Sequence, residues 1–301
     1  MAAISWKISK NGESVSPLKE TLRQKLAVFI HETEFSSLSD DVVQSAKFCL
    51  LDLVGVALAG SRQPTTRLAI EVFGKNAPPE EATLWASPAK SSTAAASLLN
   101  AVQAHAIDMD DGHRYANGHP GTVTIPAAIA LAESEGLSGR ELIAAIVVGY
   151  EVFIRLGRAI NPDLLSRGFH TTAVIGTFAA AAVAAKCLKL PAAQIENALS
   201  LAGLQSAGLL EALSSGEMGK SFQVGKAVQS GVLAAMLARR GADGPEQIFE
   251  GDKGFFQAFA GKKCDSAAIC KGLGDEFQIV NVYFKRHAAC RHIHSDRKSV
   301  V

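Results

Sequence analysis

Apolar residues recur at helical spacing along most of the chain. The segment "SLSDDVVQSAKFCLLDLVGVALAG" (37–60) predicts a helix that opens on Ser39 as N-cap, carries Asp40 and Asp41 in its first turn and stops at Gly60. "LSGRELIAAIVVGYEVFIRLGRAI" (137–160) opens on a capping box, Ser138 with Glu141 three residues on. "LPAAQIENALSLAGLQSAG" (190–208) places Pro191 at a first helical turn. "TTAVIGTFAAAAVAAKCLKL" (171–190) is apolar on nearly every side, so it predicts a helix buried among others, its small residues permitting close approach.

The pattern changes near residue 275. "EFQIVNVYFK" (276–285) alternates and is rich in Val, Ile, Tyr and Phe, which predicts a strand; "ATLWA" (82–86) is a weaker candidate. The expected fold is therefore mainly α: a large all-helical domain over 1–272, then the start of a small α/β lid over 273–295. One strand cannot complete a sheet, because its backbone groups stay unpaired, so this second unit is expected to be truncated. The closing "DRKSVV" (296–301) reads as a non-native tail matching the translation of a sequencing adapter.

Composition narrows the function classes. Hydrophobic residues make up 48% of the 301 and charged residues 20%, enough apolar material for a sizeable core. A net charge of +1 without a basic run argues against nucleic acid. The first residues lack the apolar stretch of a signal peptide. The most apolar segments are expected to be too short for a bilayer or broken by Asp52 and Glu151. Five scattered cysteines without a CxxC pair fit a reduced, cytoplasmic protein.

Against this background "HAIDMDDGHRYANGHPG" (105–121) stands out, with three carboxylates and three histidines between apolar runs. A helix over 91–111 would deliver His105 and Asp108 one turn apart on one face and end at Gly112. His119, between the Asn117-Gly118 turn and Pro120, is held with little freedom, as a general acid or base must be. A solvated helix end with a capping histidine is the competing reading. Metal binding is a third, but HExxH and EF-hand spacing are both absent, and no metal or cofactor is expected.

Three other places carry candidate chemistry. His170 heads the Ala-rich helix, where the dipole disfavours its imidazolium; it would otherwise be a simple cap. In "SSGEMGKSFQVGKAVQSG" (214–231) Lys226 sits where a new helix is expected to begin, an unfavourable place for a cation without an anionic partner. A solvated lysine is the alternative. "YFKRHAACRHIHS" (283–295) gathers Lys285, Arg286, His287, Arg291, His292 and His294 around Cys290, suited to binding anions or else a solvated charge run.

Four of these motifs together, "HAIDMDDGHRYANGHPG", "GFHTTAVIGTFAAAAVAAK", "MGKSFQVGKAVQSGVLAAMLA" and "FKRHAACRHIH", resemble the MmgE/PrpD family in content and order. That family includes 2-methylcitrate dehydratase, cis-aconitate decarboxylase and iminodisuccinate epimerase. The resemblance implies a large helical domain with a smaller α/β lid, a site in the cleft between them and a homodimer. It assigns Asp108, His119, His170 and Lys226 to catalysis and Lys285, Arg291, His294 and Cys290 to substrate binding. Gly112 falls where the decarboxylase and the dehydratase have a threonine, and Cys290 where the decarboxylase has a histidine. The implied activity is a cofactor-independent lyase of a small di- or tricarboxylate, of dehydratase type, working by proton removal α to a carboxylate. Epimerisation or decarboxylation is the alternative chemistry, and a catalytically silent helical scaffold the alternative class.

Overall fold

The computed structural model describes residues 20–73, 80–213, 218–261, 264 and 266–294. The chain order is α1 (Leu22–Glu32), α2 (Asp40–Gly60), α3 (Pro64–Phe73), β1 (Ala82–Thr83), β2 (Lys90–Ser91), α4 (Thr93–His105) and α5 (Pro120–Glu135). It continues through α6 (Gly139–Ile160), α7 (Asp163–Ser166), α8 (Thr171–Cys187), α9 (Ala192–Gly203), α10 (Gly219–Arg239), α11 (Phe255–Ala260) and α12 (Ser266–Cys270). The fold is mainly α, as the pattern predicts, and the only sheet among the described residues is the antiparallel β1–β2 pair at the "ATLWA" segment.

Helix α8 is the axis of the domain. Every residue in it except Lys186 is buried, and α5, α6, α9 and α10 pack around it. Small residues make that packing possible: a Cβ on Gly231 of α10 would lie 2.5 Å from the Thr177 carbonyl oxygen of α8. The helices meet there nearly backbone to backbone. At the far side Phe178 stacks on Phe249 and meets Phe255 edge-on, with ring centroids 4.9 and 4.7 Å apart. The Ser138–Glu141 capping box forms at α6.

Helix α2 corrects one expectation. At 21 residues it is long and apolar enough, by length and composition, to cross a membrane, and Asp52 does not interrupt that. One face (Val42, Ala46, Cys49, Leu53, Ala57) is buried in the domain core, while Phe48, Leu51 and Leu58 on the other are exposed.

The strand expected over 276–285 does not form. Residues Gln278–Asn281 make a 3₁₀ turn, and Tyr283 pairs with Gly112 in a single bridge. An isolated strand lacks partners for its backbone groups, and the helical domain supplies other partners. The Glu151 carboxyl group accepts from the backbone N–H groups of Gln278 and Ile279. The Arg155 guanidinium donates to the carbonyls of Ile269, Lys271, Gly272 and Glu276. Glu151 and Arg155 pair with each other at 3.0 Å within α6. Residues 282–292 are thereby carried over the segment that joins α4 to α5. The tail at 296–301 lies outside the described residues.

Candidate active site

The 106–119 segment is a loop, and α4 stops sooner than expected. His105 is its last residue, and Asp108 takes a left-handed conformation (φ +52°). The two side chains therefore part instead of sharing a helix face. His105 Nδ1 meets Asp110 Oδ2 at 2.8 Å. Asp108 Oδ1 instead receives Lys220 Nζ at 2.8 Å and Lys285 Nζ at 3.1 Å. Burial pushes the Asp108 carboxyl up, but the two lysines pull harder and leave it at about 2. Gly112, where the helix was expected to end, exchanges both backbone hydrogen bonds with Tyr283, at 3.0 and 2.9 Å. A Cβ at Gly112 would lie 2.9 Å from Tyr283 Cε2 and closer still to its Cζ and hydroxyl. The phenol ring thus lies against the bare backbone, where any other residue would displace it.

His119 is the N-cap residue of α5, ahead of Pro120. Its backbone N–H donates to Thr172 Oγ1 at 3.2 Å, and its Nδ1 lies 2.6 Å from the carbonyl oxygen of Asp111. A carbonyl only accepts, so Nδ1 carries the proton and Nε2 keeps its lone pair. Burial lowers the imidazole to about 4; Asp110 opposes that, while Lys285, His105 and Lys220 add to it. His119 is thus held as the neutral imidazole near neutral pH.

His170 is the N-cap residue of α8, where it makes no side-chain capping bond. Burial holds it well below its ordinary value, and His105, Lys220 and His119 add to the effect. The His105 ring lies 5.4 Å from that of His119 and 5.9 Å from that of His170, centroid to centroid. His119 and His170, 51 residues apart in sequence, are thus both brought against the His105 ring.

These groups border a cavity of about 720 Å³ whose lining includes Asp108, His119, His170, Lys220, Tyr283 and Arg291. Cys290 and His292 line it too, with Cys290 Sγ 3.5 Å from His292 Nδ1. Lys285 is buried, spent on the carbonyl and carboxylate of Asp108 rather than open to the cavity. His294 lies off the cavity lining, with Nε2 3.2 Å from the Ala289 carbonyl oxygen.

Lys226 is displaced from the expected site. Helix α10 begins at Gly219, so Lys226 lies two turns inside it, exposed, with Nζ on Gln229 Oε1 at 3.0 Å. Lys220, in the first turn of the same helix, takes the place at the cavity. The sequence reading also missed Asp110 and Asp111, which looked like helix-end structure and are fully buried. Asp111 accepts from the Tyr150 hydroxyl at 2.6 Å and from the Gly121 N–H at 2.9 Å. Burial raises its carboxyl to about 7 against those two bonds, with Asp110 and Asp52 adding to the rise. A Tyr on an apolar helix face, Tyr150, was the one available signal of a buried partner. Among the described residues no group of three or more His, Cys, Asp or Glu is placed to hold a metal ion.

Comparison with known proteins gives a consistent assignment. A family profile described as the MmgE/PrpD N-terminal domain matches residues 24–266. The cis-aconitate decarboxylase-like protein oryM of Aspergillus oryzae is 33% identical over 278 residues, covering 88% of this chain and 58% of that protein. The cis-aconitate decarboxylase of Aspergillus terreus is 29% identical over 87% of this chain and 56% of its own length. The human cis-aconitate decarboxylase is 29% identical over 89% of this chain and 57% of its own length. The chain spans a little over half the length of these relatives.

Proposed function

The chain belongs to the MmgE/PrpD family, and from that premise we propose that it serves a lyase which removes a proton α to a carboxylate in a small di- or tricarboxylic acid. The observation that carries this reading is the convergence of two neutral imidazoles, the half-buried His119 and the buried His170, with Lys220 and Arg291 on one cavity. His119 Nε2 takes the proton from carbon. The C–H electron pair moves into the carboxylate, whose second negative charge needs a preorganised cationic field. Lys220 and Arg291 face that charge, and Asp108 fixes the direction of the Lys220 ammonium. Neutral His170 is the second polar group, placed to hydrogen-bond a departing hydroxyl in dehydration, the leading outcome; that hydroxyl leaves as water with the proton His119 has taken.

Decarboxylation is the second reading, favoured by the names of the relatives. In that case the carbon–carboxylate bond breaks in place of the C–O bond, carbon dioxide leaves, and the carbanion takes up one proton from solvent relayed through an imidazole. A cytoplasmic homodimer belongs to the same proposal. The test is incubation of the purified chain with cis-aconitate, 2-methylcitrate and related acids in deuterated water, followed by NMR. Deuterium uptake at the α carbon, lost in His119→Ala, is the expected result, and carbon dioxide release separates the two outcomes. No exchange with any acid of the panel would refute the reading.

A further inference from the structure

Asp110 and His105 take no part in the chemistry above, yet they lie directly behind it. Both side chains are 0% exposed, and neither borders the cavity. Asp110 Oδ2 is 2.8 Å from His105 Nδ1 and 3.7 Å from His119 Nδ1. The other ends of the pair, Asp110 Oδ1 and His105 Nε2, are buried without a hydrogen-bond partner among the described residues. A half-satisfied buried polar pair is costlier than an apolar core. A carboxylate kept in such a place points to a task.

We propose that Asp110 and His105 are positioning residues for the base: Asp110 supplies the negative charge that lets His119 hold a proton, and His105 shares that charge and so limits it. The inference rests on His119 being the base. During turnover His119 becomes an imidazolium inside the protein. The charged and titratable groups that face it are Lys285 from the C-terminal segment, Lys220 from α10, His105 from α4, His170 from α8 and Asp110 from its own loop. Of these only Asp110 is an anion; Asp108 is engaged by two lysines. Asp111 offers His119 its carbonyl, which fixes the tautomer without balancing the charge. Without Asp110, burial and two ammonium groups would together oppose protonation. His105 is bonded to the same Asp110 oxygen that lies nearest His119, so the carboxylate serves both rings.

The two members of the pair therefore act on His119 in opposite senses, which a merely structural role would not produce. The experiment is a titration of the histidine side-chain nitrogens by ¹⁵N NMR in the whole chain, with Asp110→Asn and His105→Gln compared to wild type. Asp110→Asn is expected to lower the His119 titration by about one pH unit or more, and His105→Gln to raise it. The acid limb of the deuterium-exchange profile should move with each, and Asp110→Asn should slow exchange about tenfold or more on its plateau. Shifts in the same direction, or none, would overturn the proposal. If Asp110→Asn fails to fold, the sign of the His105→Gln shift decides alone. The titration needs no turnover, so a chain that exchanges no acid would defeat the base assignment while the NMR still tests the coupling.

Discussion

Lys285 Nζ lies 2.7 Å from the backbone carbonyl oxygen of Asp108 and 3.1 Å from its Oδ1, so one buried ammonium holds both the backbone and the side chain of a left-handed residue. The two positions are 177 apart in sequence, and the contact ties the C-terminal segment to the loop that carries His119. Loss of either partner has an unequal cost. Lys285→Met leaves Asp108 paired with Lys220 and partly open to the cavity, an expected loss of about 1–3 kcal/mol. Asp108→Asn leaves two ammonium groups facing each other, one of them buried, an expected loss of about 3–5 kcal/mol. Urea unfolding of the two variants checks the order; a larger loss for Lys285→Met would mean that backbone strain, not charge, dominates the contact.

Lys220 and Lys226 stand on one helix, six residues apart, and only the first reaches the cavity. Lys220→Met should therefore lower kcat/KM at least about 10²-fold, the scale of losing one donor to a developing oxyanion. Lys226→Met should leave kcat/KM unchanged and alter stability by less than about 0.5 kcal/mol, as exposed substitutions do. Steady-state kinetics on the acid that shows exchange gives the comparison. Equal losses would restore Lys226 to the site.

That pair shows where reading the sequence stops. His119 and His170 could be picked out because each sits where a helix begins, and a helix start leaves local marks: Pro120 after one, an apolar run after the other. The choice between Lys220 and Lys226 depends on the first residue of α10, and a Gly- and Ser-rich approach leaves several starts open. Asp110 and Asp111 looked like helix-end residues because α4 carries no stop signal at His105. The tertiary partners that bend the chain there, Lys220, Lys285 and Tyr150, come from three distant segments. The strand over 276–285 failed for a related reason. β-propensity is a local quantity, and a strand needs a neighbour; Glu151 and Arg155 offered the backbone a different set of partners.

Gly112 and Tyr283 make a coupled pair. The ring occupies the volume a side chain at 112 would need, and Tyr283 borders the cavity. Burial raises its phenol to about 12, with Asp111 adding to the rise and Arg291 opposing it, so the hydroxyl stays a donor through the physiological range. Gly112→Thr should push the ring from its seat and lower kcat/KM about tenfold or more. Adding Tyr283→Ala should then cost little further, because the clash has gone. A double-mutant cycle measures this, with an expected coupling of about 1–3 kcal/mol for residues in contact. Additive losses would show that the ring's place does not depend on the glycine.

Glu151 supplies the last test, through its ionisation. Burial raises its carboxyl to about 7, although Arg155 and the N–H groups of Gln278 and Ile279 oppose the rise. The folded protein therefore holds a proton on Glu151 that the unfolded chain releases above about 4.5, so this residue makes stability fall as pH rises from 4.5 to 7. Asp52, at about 6, and Asp111, at about 7, act in the same sense. His113 and His119, both lowered to about 4 chiefly by burial, act oppositely: below 6.5 the unfolded chain takes up protons that the folded chain refuses. His170 joins them, being well below its ordinary value. Glu196, raised by burial, joins the acids, so near pH 5.5 four acids and three histidines pull wild-type stability in opposite directions. Glu151→Gln removes one acid and tips the balance. Its urea-unfolding free energy should gain on wild type as pH rises from 4.5 to 7, by up to about 1.4 kcal/mol per pH unit. An unchanged difference across that range would mean that Glu151 is ionised in the folded protein and that Arg155 outweighs its burial.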